Sequence, residues 1–274
     1  MKSKIIYIIF SLIILVSLSS CEEVIEIDLN SSNPVIVAEG YLNQDSLSYI
    51  NLSYTTDYFH SETPVLIEDA IVRLEDDNGN SELLTHIGGG FYQGSTLRGE
   101  ARTDYLISME IGDEVLTGKS RLLPPAEIES IYYSESIFQR PAGPPGTPPA
   151  MTSYTVTLNI LDDPLENNYF LLNFFTSTSG PSFFYLTTSD EFIDDEKTIS
   201  FSTFMFEFFQ GDTVNIEIFS IDAPSYWYYN QLNDAVGMGP GMSSTPYNPK
   251  SNFGGNVMGY FMARSKMDTS IVIQ

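Results

Sequence analysis

The sequence predicts a mainly all-β protein with two β-sandwich domains, the first immunoglobulin-like, and one short helix in the C-terminal part. Three observations predict this fold. Apolar and polar residues alternate with a period of two through most of the chain after Pro34, a pattern typical of half-buried strands. Turn dipeptides such as Asn78-Gly79 separate the alternating runs. The chain also contains 17 Tyr and 18 Phe, residue types that are enriched in strands.

The N-terminus has the pattern of a bacterial export signal. Two lysines precede an apolar run over residues 5–18, which is shorter than the roughly 20 residues that a membrane-spanning helix needs. Residues 18–21, Leu-Ser-Ser-Cys, resemble the lipobox of bacterial lipoproteins. We therefore expect residues 1–20 to be a lipoprotein signal peptide and Cys21, the only cysteine, to carry the lipid. The alternative is a plain secretory signal followed by an unpaired cysteine.

Acidic residues dominate the chain that follows. Residues 21–33 are interpreted as an acidic tether that holds the first domain near the membrane, because a dozen extended residues reach only about 40 Å. Loss of the signal peptide removes two of 12 basic residues and none of 36 acidic ones, so the formal charge goes from −24 to −26. Such a balance argues against nucleic acid as a partner, since that binding needs cations. Attachment to the membrane would then rest on the lipid.

The first sandwich is predicted over residues 34–123. Three stretches read as paired strands: residues 34–54 with a turn at Gln44-Asp45, residues 69–85 with a turn at Asn78-Gly79, and residues 104–122 with a turn at Gly112-Asp113. Alternation places Val72 and Leu74 on one buried face, and Tyr105, Ile107 and Met109 on another. About seven short strands in this length are typical of an immunoglobulin-like sandwich.

A second β-rich domain is predicted over residues 127–274. Pro124-Pro125 marks the boundary, because proline cannot join a strand ladder. The proline-rich stretch 139–151 is interpreted as an exposed loop, since the alternating runs on either side of it would pair within one sheet. Residues 224–236 are predicted to form the short helix. The last apolar runs, "GYFMARS" and "SIVIQ", are expected to add edge strands.

The order of several sequence stretches resembles that of a known family. These stretches are "CEEVIEIDL", "PVIVAEGYL", "LSYTTDYF", "AIVRLEDDNGN", "GGGFYQGS", "LLPPAEIESIYY", "ILDDPLENNYFLL", "FEFFQGDTVNIEIFSI" and "PYNPKSNFGGNVMGYFMA". They resemble the Bacteroidota outer-membrane lipoproteins of domain of unknown function 4249. The resemblance implies an outer-membrane lipoprotein that faces the cell exterior and has a TonB-dependent receptor as its partner. Glu22 and Glu23 resemble the surface-export signal of such proteins. No catalytic residue can be carried over, because the chemistry of the family is unassigned.

Motifs for catalysis and metal binding are scarce. The two histidines, His60 and His86, are too few for a His-rich metal site, and lipidation of Cys21 leaves no thiol nucleophile. We therefore predict no catalytic residues, no metal site and no cofactor. Residues 76–82, "DDNGNSE", supply oxygen ligands as an EF-hand loop does, but Ser81 stands where that loop needs Gly, so a hairpin turn is preferred. Acidic pairs such as Asp162-Asp163 could serve a glycosidase, but they arise freely in so acidic a chain.

One aromatic cluster is a candidate binding site. Tyr226, Trp227, Tyr228 and Tyr229 follow one another in the predicted helix, and neighbours on a helix point about 100° apart. At least one of them should therefore be exposed or contact another domain. Exposed aromatic rings stack on sugars and form interface hot spots, whereas packing against the second sheet is the alternative role.

These features predict a non-catalytic accessory or ligand-binding module of a TonB-dependent nutrient transporter, with a peptide or glycan as the candidate ligand. Two alternatives stay open. One is a surface hydrolase of peptides or glycans that uses His60 or His86 as its base. The other is a purely structural envelope lipoprotein with no ligand and no transporter partner.

Overall fold

The alternating runs of the sequence form strands. The computed structural model describes residues 33–56, 63–137, 139, 151–163, 165, 167–180, 186–191, 197–203, 206–236 and 247–274. These residues contain 16 strands and one α-helix. In chain order the elements are β1 (Ile36–Asn43), β2 (Leu47–Tyr54), β3 (Ile71–Asp76), β4 (Ser81–Leu83), β5 (Thr85–Gly88), β6 (Phe91–Arg98), β7 (Thr103–Ile111), β8 (Glu114–Leu122), β9 (Ile128–Glu135), β10 (Ser153–Leu161), β11 (Tyr169–Thr176), β12 (Leu186–Ser189), β13 (Thr198–Ser202), β14 (Phe208–Phe209), β15 (Thr213–Ile221), α1 (Ala223–Ala235) and β16 (Val257–Val272).

The described strands form three sheets. A long sheet has the order β12-β11-β15-β16-β1-β2-β6-β5. A first cover sheet has the order β4-β3-β7-β8. A second cover sheet has the order β13-β10-β14, with β9 also pairing to β10. The prediction of a mainly all-β, sandwich-like protein is confirmed, whereas the immunoglobulin-like type of the first sandwich stays a prediction.

Two cores fill the space between the long sheet and its two cover sheets. In the first core, Val72, Leu74 and Ile107 of the first cover sheet pack against Ile50 and Phe261 of the long sheet, and all five are nearly inaccessible. In the second core, residues of β10 pack against residues of β11 and β15; its members include Val156, Leu158, Phe170, Leu172, Ile216 and Ile218. Each core is therefore the interior of a sandwich, held by burial of aliphatic and aromatic area.

The strand β16 belongs to both sandwiches. Its first half runs parallel to β1, from Ile36↔Val257 to Asn43↔Arg264. Its second half runs antiparallel to β15, from Ser220↔Ser265 to Thr213↔Val272. Phe261 lies in the first core, and Met267 packs against the second. The two segments predicted as domains thus share one sheet, and residues 34–274 form one compact unit.

This position of β16 corrects one prediction. The apolar runs near the C-terminus were expected to add edge strands, but they form a single 16-residue strand that lies between β15 and β1 in the order of the long sheet. Its first half pairs with β1 and its second half with β15. The expectation was wrong because a parallel partner more than 200 residues away leaves no local signal in the sequence. Gly259 allows the close approach: it has a φ of +87°, and a Cβ there would lie 2.2 Å from the carbonyl oxygen of Ala38.

The predicted hairpins are present. β1 and β2 pair across Gln44-Asp45, β3 and β4 across Asn78-Gly79, and β7 and β8 across Gly112-Asp113. Asp45, Gly79 and Gly112 all have positive φ, as tight turns require. β9 and β10 also pair, as expected for the runs that flank the proline-rich stretch, although most of residues 139–151 lie outside the described residues. Residues 1–20 and Cys21 lie outside them too.

Candidate functional site

The helix α1 begins at a buried cap that also attaches it to the first cover sheet. Asp222 accepts a hydrogen bond from the backbone N–H of Ser225 (2.9 Å), and Pro224 occupies the first turn. The other carboxylate oxygen of Asp222 accepts hydrogen bonds from the Ser120 hydroxyl (2.8 Å) and the Arg121 N–H (3.0 Å), both in β8. These bonds set the helix over the face of the long sheet opposite the two cores.

The four aromatic residues predicted as a binding cluster are divided by this placement. Tyr226 lies 5.2 Å from the ring of Tyr169, and Tyr228 lies 4.8 Å from the ring of Tyr260, centroid to centroid. Tyr229 also packs on the sheet, whereas 44% of the Trp227 surface is exposed. The helix therefore has one exposed aromatic ring, as its geometry requires, and packs the other three. A binding role for the four stays a prediction.

Beside the helix, the same face of the long sheet carries a groove of about 430 Å³. We call it the aromatic groove; it is lined by Glu39, Gly40, Tyr41, Tyr49, Asn51, Phe91, Tyr228, Tyr229, Leu232, Tyr260, Met262 and Arg264. Strands β1, β2, β6 and β16 form its floor, and α1 forms one wall. Its volume falls within the range of ligand sites, and its lining is mainly aromatic with a few charged groups.

Three aromatic rings form a continuous row on the floor of the groove. The centroids of Tyr41 and Tyr49 are 6.0 Å apart, and those of Tyr49 and Phe91 are 5.2 Å apart, with tilts of 30° and 35°. Tyr41 and Tyr49 are cross-strand partners, so the register of β1 and β2 brings them together. Tyr41 and Phe91 are 40% and 37% exposed. This aromatic row presents ring faces at the surface that a planar or ring-shaped ligand could cover.

One positive and one negative charge stand at different places in the groove. The guanidinium of Arg264 lies 4.9 Å from the Tyr41 ring centroid and 4.3 Å from that of Phe219. Its Nε donates a hydrogen bond to Asn43 Oδ1 at 2.7 Å. Glu39 is exposed and lies two residues before Tyr41 on the same side of β1. The groove can therefore interact with both signs of charge.

Burial raises the pKa of two phenols of the groove. Burial, with a further contribution from the negative charge of Glu39, raises the pKa of Tyr228 from 10.0 to about 12. Burial and the charge of Asp222 raise the pKa of Tyr260 well above its ordinary value. Phenols are already neutral at neutral pH, and these shifts keep both hydroxyls protonated further into the alkaline range.

The acidic pair Asp162-Asp163 and the histidine His86, which were considered for catalysis, lie outside the lining of the aromatic groove and contact other residues. Asp163 pairs with Arg102, and Asp162 accepts a hydrogen bond from the Asn168 amide at 2.7 Å. Burial and the nearby Asp190 raise the pKa of Asp162. His86 lies in β5 with its Nε2 3.9 Å from a Glu68 oxygen. His60 lies outside the described residues.

The stretch that resembles a calcium loop is a hairpin turn. One oxygen of Asp76 accepts hydrogen bonds from the N–H groups of Asn78 (3.0 Å) and Asn80 (2.8 Å). The carboxylate thus closes the turn between β3 and β4. Within the described part of the chain, no group of three or more His, Cys, Asp or Glu residues could hold a metal ion.

Sequence reasoning missed the aromatic row and Arg264. Tyr41 and Tyr49 occupy the positions of their strands that alternate with buried residues, so the period of two could have placed them on an outward face. An aromatic residue at such a position is a usable signal. No sequence pattern indicated Arg264 as a site residue, because its place beside Tyr41 depends on the parallel pairing of β1 and β16.

The comparisons with known proteins identify the family alone. The family model DUF4249, a domain of unknown function, matches residues 22–270. This chain belongs to that family. A search of curated proteins found no match to the sequence. Among the described residues, no helix combines the length and apolar character that a membrane crossing requires.

Proposed function

We propose that this family member is a lipid-anchored outer-membrane protein, exposed at the cell exterior, that acts as a non-catalytic ligand-binding or accessory module of a TonB-dependent nutrient transporter. Cys21 would supply the anchor, the described residues would form the binding body, and no cofactor would take part. The observation that carries the binding role is the aromatic groove, with its row of Tyr41, Tyr49 and Phe91, in which Tyr41 and Phe91 are exposed and Tyr49 is half-buried.

The groove supports binding because part of its aromatic row stays accessible to solvent. Burying an aromatic side chain is favourable, so the exposed faces of Tyr41 and Phe91 are area that a ligand or partner could cover. Trp227 adds a further exposed ring on α1, next to the groove wall. A transporter partner and a small ligand would both be served by such a surface.

The membrane attachment rests on the sequence. A lipid chain contributes about 0.8 kcal/mol for each buried methylene, so the acyl chains of a lipoprotein hold firmly even when the protein surface is acidic. Changing Cys21→Ala should abolish lipid labelling and release the protein in soluble form. Continued membrane attachment of this variant would overturn the lipoprotein assignment.

The experiment that tests the transporter role is an affinity purification of the tagged, lipidated protein from detergent-solubilised outer membrane. Mass spectrometry should identify a TonB-dependent barrel in stoichiometric amount. The matched control is the Cys21→Ala variant added to the same detergent extract, which separates a protein–protein contact from shared residence in the membrane. Isolation of the protein alone would overturn the accessory role. Hydrolysis of a peptide or glycan that is lost in His60→Ala or His86→Ala would instead establish an enzyme.

A further inference from the structure

We propose that the aromatic groove binds an acidic oligosaccharide, with a hexuronate carboxylate held by Arg264 and a sugar ring stacked on the aromatic row. This inference rests on the proposed ligand-binding role and names the ligand class. It is carried by three features of the groove: a cation that pairs with no carboxylate of the described residues, a row of partly exposed rings, and a floor whose backbone is already paired.

Within the part of the chain that the structure describes, Arg264 is held in place by rings and an amide and by no ion pair. Its guanidinium lies against Tyr41 and Phe219, and Nε is engaged by Asn43, while none of the carboxylates in the described residues forms a salt bridge with it. Two residues further along β16, Lys266 lies 2.8 Å from Glu217 and 2.9 Å from Asp268. The chain has three times as many acidic as basic residues, so carboxylates are plentiful. The contrast with Lys266 therefore indicates that the charge of Arg264 is available to an anionic ligand.

The terminal nitrogens of Arg264 provide the donors for a carboxylate. With Nε used by Asn43, the fork formed by the two Nη groups can still donate two parallel hydrogen bonds to one carboxylate. Contact with two rings restricts the guanidinium, so less side-chain freedom is lost on binding. The geometry favours an anion that is planar and bidentate, as a carboxylate is.

The aromatic row supplies the second half of the site. Tyr41 carries the contact with Arg264 on one side and begins the row with Tyr49 and Phe91 on the other. A carboxylate bound at Arg264 would therefore lie beside exposed ring faces. A pyranose ring that bears a carboxylate fits both features at once, since its C–H face stacks on aromatic rings and its hydroxyls can bond to polar groups such as Glu39.

The backbone of the groove favours a sugar over an extended peptide. Strand β1 pairs with β2 on one edge and with β16 on the other, so its N–H and C=O groups are used in the ladders. A peptide that binds by strand addition needs a free sheet edge, whereas the aromatic groove lies on the face of the sheet. Recognition there must come from side chains, and that is the manner in which a sugar is bound.

The test is calorimetric titration of the full-length lipidated protein in detergent. The probes are the tetrasaccharides of galacturonate, mannuronate, guluronate and glucuronate, each beside its carboxyl-reduced form. We expect at least one acidic tetrasaccharide to bind, with at least tenfold weaker binding of its reduced counterpart. A free-acid tetrapeptide ending in Phe and its C-terminal amide serve as the peptide probes. Binding of none of the four acidic sugars, or equal binding of the reduced forms, would overturn the proposal, and so would binding of the free-acid peptide alone.

Variants of Arg264 give the residue-level test. Arg264→Gln should weaken the binding by about tenfold or more, because it removes the charge from the carboxylate contact. Arg264→Lys should retain part of the affinity, since it keeps the charge but loses the planar fork. Lys266→Gln is the matched control: it removes a cation from the same side of the same strand and should leave the affinity within about twofold, because Lys266 lies outside the groove. An equal loss in both variants would overturn the assignment to Arg264.

The titration and the affinity purification test the ligand class and the transporter role independently. If the barrel co-purifies but no acidic sugar binds, the ligand class fails and the accessory role stands. If an acidic sugar binds but the protein is isolated alone, the ligand class stands and the transporter role fails. Thermal unfolding of each variant, measured alongside, shows whether a loss of binding reflects a loss of fold.

Discussion

The two faces of the long sheet are made from different kinds of residue, although they belong to the same strands. The inner face is closed by two cover sheets and is mainly aliphatic, with Ile50, Leu52 and Ile218 fully buried. The outer face has α1 over one part and the aromatic groove over another, and it carries Tyr41, Arg264 and other aromatic and charged groups. Alternation thus separates two tasks along one strand. The inner face stabilises the fold, whereas the outer face forms a smaller core under α1 and is available for recognition where the helix does not cover it.

The largest contrast is expected between a matched pair of aromatic residues, one on each face. Phe261→Ala empties a fully buried inner position and should lower the free energy of unfolding by about 3–5 kcal/mol. Tyr41→Ala removes a ring that is 40% exposed and should cost about 1 kcal/mol or less. Urea denaturation of both variants measures the difference. Equal losses would mean that the outer face contributes to stability as the inner face does.

A buried carboxylate gives the next largest effect, on the inner side. Glu82 of β4 accepts hydrogen bonds from the N–H groups of Ser95, Thr96 and Leu97 in β6, so it joins the first cover sheet to the long sheet. Burial by itself would raise the pKa of Glu82, but these bonds outweigh it and lower that pKa below its ordinary value of 4.5. Glu82→Gln should therefore lower the unfolding free energy by about 2–3 kcal/mol at neutral pH.

The same carboxylate makes stability depend on pH in a known direction. Because the pKa of Glu82 is lower in the folded state than in the unfolded state, its contribution is present above about pH 4.5 and is lost as the pH falls through the folded pKa. Unfolding measured from pH 7 to pH 3 should show a smaller acid loss in Glu82→Gln than in the native protein. Parallel acid profiles for the two proteins would contradict this account.

Tyr228 tests the outer face at alkaline pH. Its pKa, raised to about 12 by burial and by Glu39, exceeds the value of 10.0 expected in the unfolded chain. Its contribution to stability is therefore complete below pH 10 and is lost as the pH rises through 12. Ultraviolet titration of the folded protein should show one phenol fewer ionising near pH 12 in Tyr228→Phe. Loss of a phenol that ionises near pH 10 instead would mean that Tyr228 is accessible to water.

Trp227 is expected to give the smallest effect. It is 44% exposed and lies outside the lining of the aromatic groove, so Trp227→Ala should change the unfolding free energy by no more than about 0.5 kcal/mol. Binding of an acidic tetrasaccharide should also stay within about twofold, whereas Tyr49→Ala removes the middle ring of the aromatic row and should weaken that binding. A large loss of affinity in Trp227→Ala would mean that the ligand binds at the helix cluster Tyr226–Tyr229, as predicted from the sequence, and not in the aromatic groove.

Much of the local structure could be predicted from the sequence. Alternation located the strands of the hairpins, and Asn78-Gly79 and Gly112-Asp113 located two of their turns. The helix predicted at 224–236 is present as Ala223–Ala235, one residue earlier at each end. These features follow from neighbours in sequence, because a strand period, a turn dipeptide and a helix cap are each set by a few adjacent residues.

The candidate site could be predicted only in part. The aromatic run at Tyr226–Tyr229 drew attention to the helix that forms one wall of the groove. The floor of the groove could not be predicted, because Tyr41, Phe91 and Arg264 come from strands that are far apart in sequence and are brought near one another only in the sheet. No window of sequence contains the three together.

The sequence by itself determined the β-rich class of this protein, its hairpins, its helix and its family. The tertiary structure alone decided that β16 lies inside the long sheet, that two sandwiches share it, and that Arg264 stands beside Tyr41. The physical reason is the range of the interactions involved. Hairpin pairing is fixed by a turn of a few residues, whereas the parallel pairing of β1 with β16 joins segments more than 200 residues apart and is selected by the packing of both cores together.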